Sequence, residues 1–161
     1  MLKKINLMFI TVFNIGKIKY APGTFGSIFA CLLFFILHNF LSFIYIFVFV
    51  LLIFFYSLIS ITGSADSFSI VYPKEIVIDE VVGQFLPLLA IPIYENLYLA
   101  PTIYYILFSF ILFRFFDILK PFPINYIDEN VDGALGIMSD DIFAGIYSVI
   151  ILVLLFYFIG A

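Results

Sequence analysis

Carboxylates gather in this chain where apolar sequence begins or ends, beside glycines, prolines and single basic residues. Four polar islands stand out: Tyr20-Ala21-Pro22-Gly23-Thr24-Phe25-Gly26-Ser27, Glu75-Ile76-Val77-Ile78-Asp79-Glu80-Val81-Val82-Gly83-Gln84, Arg114-Phe115-Phe116-Asp117-Ile118-Leu119-Lys120-Pro121-Phe122-Pro123-Ile124 and Gly136-Ile137-Met138-Ser139-Asp140-Asp141-Ile142-Phe143-Ala144-Gly145. Three of the four hold acids, and the chain has only eleven acidic residues in all. A carboxylate at the rim of hydrocarbon costs free energy unless it is paired or bound to a metal, so these acids are functional candidates. Chemistry at a membrane surface is the expectation.

Each island also has a bland reading. Asp79 and Glu80 at the start of an apolar helix could answer free N–H groups and the helix dipole, worth about 0.3–1 kcal/mol. That accounts for one acid and leaves a second, which repels the first unless a cation sits between them; metal ligation is favoured. Ser139 reads as an N-cap with Asp140 and Asp141 in the first turn of the last helix, and again an acid is left over. Ala144 and Gly145 permit close helix packing. Arg114, Asp117 and Lys120 recur every three residues, so a helix sets Arg114 beside Asp117 and Asp117 beside Lys120. This is either a salt-bridged helix end stopped by Pro121 or two cations around one acid, with positive charge spare for a phosphate oxygen. The segment around Thr24 and Ser27 is a turn with a cap, or a helix N-terminus offering N–H groups to phosphate. It lacks the lysine and spacing of a P-loop.

Elimination narrows the chemistry. His38 is the only histidine and Cys31 the only cysteine, so paired-histidine phosphatases, disulfide frameworks and thiolate metal sites are excluded. Leu37 stands where a Cys-x5-Arg phosphatase needs arginine, and no Asp-x-Asp pair exists. Metal-assisted hydrolysis remains. Hard carboxylate ligands without His or Cys favour Mg²⁺, which neutralises phosphate charge and activates water.

The elements that must position these groups are membrane helices. Hydrophobic residues make up 65% of the chain and charged residues 11%, with a mean hydropathy of +1.25; a soluble domain is about 25% charged. The 161 residues make one domain, residues 1–161, and a net charge of -4 argues against nucleic acid. Apolar runs cover residues 28–37, 41–61, 81–93, 101–113 and 142–159. Spanning hydrocarbon takes roughly 20 helical residues, which only 41–61 and, nearly, 142–159 supply alone. His38-Asn39 is the expected turn of a first hairpin, and the stretch around Pro92, Glu95 and Asn96 that of a second. The expected fold is an all-α integral membrane bundle of four to five apolar helices, some short or interfacial. Lys3-Lys4 followed by residues 5–13 imitates a signal peptide, but Lys17 and Lys19 fall where cleavage would occur. A short interfacial helix is expected instead. The positive-inside rule then puts the N-terminus in the cytoplasm, the turns at 38–39 and 94–96 outside, and every polar island on the cytoplasmic face.

Taken in order, the four islands resemble the signatures of the phosphatidylglycerophosphatase A family, from about Tyr20 to Gly145. The resemblance implies an all-helical enzyme of the bacterial cytoplasmic (inner) membrane. It implies Mg²⁺-dependent removal of the terminal phosphate from a phospholipid partner, phosphatidylglycerophosphate, to give phosphatidylglycerol. On that reading Asp79, Glu80, Asp140 and Asp141 hold the metal and position water, and Asp117 orients the basic pair or completes the metal shell. Arg114, Lys120, Thr24 and Ser27 hold the phosphate. One departure is Tyr72 before Pro73, where relatives often carry a polar or acidic residue, so the 72–74 turn is placed outside the site. Two alternatives compete. A CDP-alcohol phosphatidyltransferase is suggested by Asp132-Gly133, but Gly136-Ile137 replaces the Ala-Arg it needs. A transporter subunit would put acids at the bilayer midplane rather than at helix ends. Oligomeric state and metal number stay open.

Overall fold

A computed structural model describes residues 2–64, 74–97 and 101–159, and every regular element among them is helical. The chain opens with α1 (Leu2–Ile10) and a short 3-10 turn, Ile15–Lys17, followed by α2 (Pro22–Phe40) and α3 (Phe43–Ser64). Next come α4 (Ile78–Leu88), α5 (Ile91–Leu97), α6 (Thr102–Leu119), α7 (Ile124–Asn130) and α8 (Gly133–Ile159). Helices α2, α3 and α6 and the Gly133–Phe158 stretch of α8 are long and apolar enough to cross a membrane. Helix formation satisfies every backbone group within the segment, which hydrocarbon demands. Buried hydroxyls follow the same rule: Ser57 and Ser148 donate to the carbonyls of Ile53 and Ala144, one turn back. Large apolar side chains such as Leu52, Ile59 and Ile111 cover the outer surface, an exposure that suits lipid rather than water. The protein is an all-α membrane bundle.

Helix α4 sits among the spanning helices, packed on α2, α3, α6 and α8, and is buried on nearly every side. It is too short to span alone. Pro87 inside it has no N–H to return to the Gly83 carbonyl, and the chain breaks after Leu88 before continuing as α5. At the far end His38 Nε2 lies 2.9 Å from Glu95 Oε1, and Tyr94 packs on Phe156. The ends of α2, α5 and α8 therefore meet there, and the polar islands lie at the other end.

Two expected helix boundaries change. The α2–α3 connection is at Leu41-Ser42, because His38 and Asn39 continue the helix, and Asn39 Nδ2 caps the Phe35 carbonyl at 2.6 Å. Helix α8 begins at Gly133, whose φ of 75° turns the chain into it. Ser139 is thus no N-cap, and Asp140 and Asp141 lie inside the helix. The segment 134–138 extends the helix backwards, with Gly136 allowing contact with the Val131 carbonyl.

Candidate active site

One end of the bundle holds a cavity of about 380 Å³, within the size range of ligand sites. Asp79, Glu80, Arg114, Asp117, Lys120, Asp140 and Asp141 all line it. Asp79 and Glu80 come from the first turn of α4 and Asp141 from α8. One carboxylate oxygen from each of these three lies within 4.8 Å of the others. Asp79 is 9% exposed and Asp141 3%. Two of their oxygens, Glu80 Oε2 and Asp141 Oδ1, are buried without a hydrogen-bond partner among the described residues. Burial first, then the charges of Glu80 and Asp141, push the Asp79 carboxyl well above the usual carboxylate range. Burial raises Glu80 too, and Asp117 adds to this, while Asp79 and Arg114 oppose it. Three crowded acids, two of them with an orphaned oxygen, fit a hard divalent cation, which would supply the missing partner for both.

The cations stand beside this group. Arg114 Nη1 lies 2.5 Å from Asp117 Oδ2, one turn along α6, as the spacing predicts. Lys120 does not face Asp117. As the residue ending α6 it takes a left-handed conformation, φ 43°, which swings its side chain off the helix face. Its Nζ lies 2.7 Å from Asp128 Oδ1 and 2.9 Å from Asp140 Oδ2. Burial works against its ammonium charge, but these carboxylates outweigh it and hold the pKa above the usual lysine range. Asp140, expected among the metal ligands, thus gives an oxygen to Lys120 and is not one of the three clustered acids.

Thr24 and Ser27, expected at the phosphate, do not line the cavity. Ser27 is fully buried, and its Oγ donates to the Gly23 carbonyl at 3.0 Å. Pro22 has no N–H, and those of Thr24 and Phe25 go to the Ala21 carbonyl. The island instead brings α2 close to α4: a Cβ on Gly23 would collide with Glu80 Oε1, and one on Gly26 would stand 3.1 Å from the Val77 carbonyl. Lys74 and Asp128 line the cavity unforeseen. Lys74 belongs to the turn placed outside the site, whose Tyr72 and Pro73 lie outside the described residues. A lone lysine just ahead of an acid pair was its available signal; for Asp128 it was an acidic stretch lying between two islands.

Residues 8–156 match the family model described as phosphatidylglycerophosphatase A. A protein of Haemophilus influenzae named phosphatidylglycerophosphatase A is 39% identical, over 93% of this chain and 91% of its own. An Escherichia coli protein of the same name is 34% identical, over 92% of this chain and 79% of its own. A Bacteroides thetaiotaomicron protein named putative phosphatidylinositol-3-phosphatase is 33% identical, over 93% of this chain and 92% of its own. No solved structure matches the chain. Likeness over nearly the whole length, to proteins that are all named as phosphatases, decides for an enzyme over a transporter subunit. This membrane chain belongs to the phosphatidylglycerophosphatase A family.

Proposed function

We propose that the protein hydrolyses the terminal phosphomonoester of phosphatidylglycerophosphate to phosphatidylglycerol and inorganic phosphate, assisted by Mg²⁺, on the cytoplasmic side of a bacterial inner membrane. The observation that carries this reading is one cavity in which three clustered carboxylates stand beside Arg114 and Lys120. Asp79, Glu80 and Asp141 would hold the metal, which when bound neutralises phosphate charge and makes a coordinated water more acidic. Arg114, oriented by Asp117, presents its guanidinium to phosphate oxygens. Lys120 exchanges a carboxylate for a phosphate oxygen, an interaction that strengthens as charge develops. Asp140 and Asp128 hold its ammonium at the cavity meanwhile. The water oxygen bonds to phosphorus, the ester P–O bond breaks, and the glycerol oxygen leaves with a proton. The surrounding apolar bundle keeps the lipid tails beside the site.

The Bacteroides relative's name supports comparing a second lipid, a phosphoinositide. Purified protein should release phosphate from phosphatidylglycerophosphate in Mg²⁺, faster than from phosphatidylinositol 3-phosphate. Ca²⁺, larger and loosely coordinated, should substitute poorly. Undiminished release in excess chelator would remove the metal from the reading, and no release would remove the reaction.

A further inference from the structure

Three cations line the cavity, and two are occupied by carboxylates: Arg114 by Asp117, and Lys120 by Asp128 and Asp140. Lys74 has no ion-pair partner among the described residues and is exposed at the cavity wall. Its backbone is nevertheless held in place. Gly16 packs so closely on Glu75 that a Cβ there would collide with the Glu75 carbonyl. The Val77 N–H donates to the Ile10 carbonyl at 3.0 Å, and Ile76 and Val77 are buried. The N-terminal segment thus fastens the turn from which Lys74 projects.

We propose that Lys74 binds the phosphodiester of the lipid substrate, the second anionic group of its headgroup. This rests on the reading above, in which Arg114, Lys120 and the carboxylate cluster take the phosphomonoester. A diester carries one negative charge and stays bound to the diacylglycerol, so it must lie toward the open side of the cavity. One hydrated ammonium on a flexible stem suits a single charge there, where a bidentate fork is not needed. Lys74 would select lipids carrying both a diester and a monoester over those carrying a monoester alone.

Steady-state kinetics of Lys74→Ala in mixed micelles of phosphatidylglycerophosphate test this. An exposed charge contact of this kind should raise KM about two- to fivefold, with kcat nearly unchanged. Inhibition by inorganic phosphate, which occupies only the monoester position, should not move. Product inhibition by phosphatidylglycerol, which carries only the diester, should weaken by about the same factor as KM, and Lys74→Arg should restore both. An unmoved KM, or a phosphate inhibition constant that shifts together with KM, overturns the inference. A wild type that releases no phosphate from the lipid overturns the underlying reading instead.

Discussion

Gly145 of α8 lies against the backbone of Gly83 in α4, where an added Cβ would stand 2.5 Å from the Gly83 carbonyl oxygen. Asp141 precedes Gly145 by one helical turn, and Asp79 precedes Gly83 by one. The crossing that two absent side chains permit is therefore what brings acids from two helices to one point.

Widening that crossing should damage fold and site together. Gly145→Val should destabilise the protein by about 1–3 kcal/mol, the usual cost of overpacking, and lower phosphate release in the fraction that stays folded. Thermal unfolding in detergent checks the first effect. A variant with wild-type melting and activity would show that the close approach matters to neither.

Asp79→Asn and Asp141→Asn keep shape and remove charge. Each should cut kcat at least about 100-fold, the equivalent of losing a few kcal/mol of charge stabilisation. Neither should melt lower than the wild type in chelator, because each relieves repulsion among buried acids. Near-normal hydrolysis by both folded variants would end their assignment as metal ligands.

The raised Asp79 and Glu80 carboxyls set a direction for stability against pH. In the unfolded chain such groups ionise near pH 4. With folded values above that, the native state binds the extra protons, so stability falls as pH rises from there through the folded values. Metal-free protein should thus melt lower at mildly alkaline than at mildly acidic pH. Mg²⁺, binding the ionised acids, should oppose the loss most at the alkaline end. Melting curves in chelator that rise with pH over this range would contradict the sign.

Sidedness can be read with single cysteines in a Cys31→Ala background. Asn125 is exposed at the cavity end and Asn39 at the end where His38 meets Glu95. An impermeant thiol reagent added outside intact cells should label Asn39→Cys and spare Asn125→Cys. The reverse pattern would put the cavity outside.

The membrane helices and the residues able to do chemistry were legible in the chain because both are local properties. Hydrocarbon selects long apolar stretches, and acids at their ends are conspicuous whatever the fold. The Arg114–Asp117 pair was legible for the same reason, being one turn of a single helix. What the local pattern could not show was partnership between helices. Lys120 turned from Asp117 to Asp128 and Asp140 because a left-handed residue ended α6 and packing placed α7 and α8 beside it. Ser139 resembled a cap, yet α8 started earlier, at Gly133, with Gly136 against Val131. Ser27 carried the hydroxyl of a phosphate site and spent it inside its own helix. Lys74 entered the cavity through a turn held by Gly16, far away in sequence. Which acids share one point depends on how closely backbones approach at Gly83 and Gly145. That distance is a property of packed surfaces, and no single segment contains it.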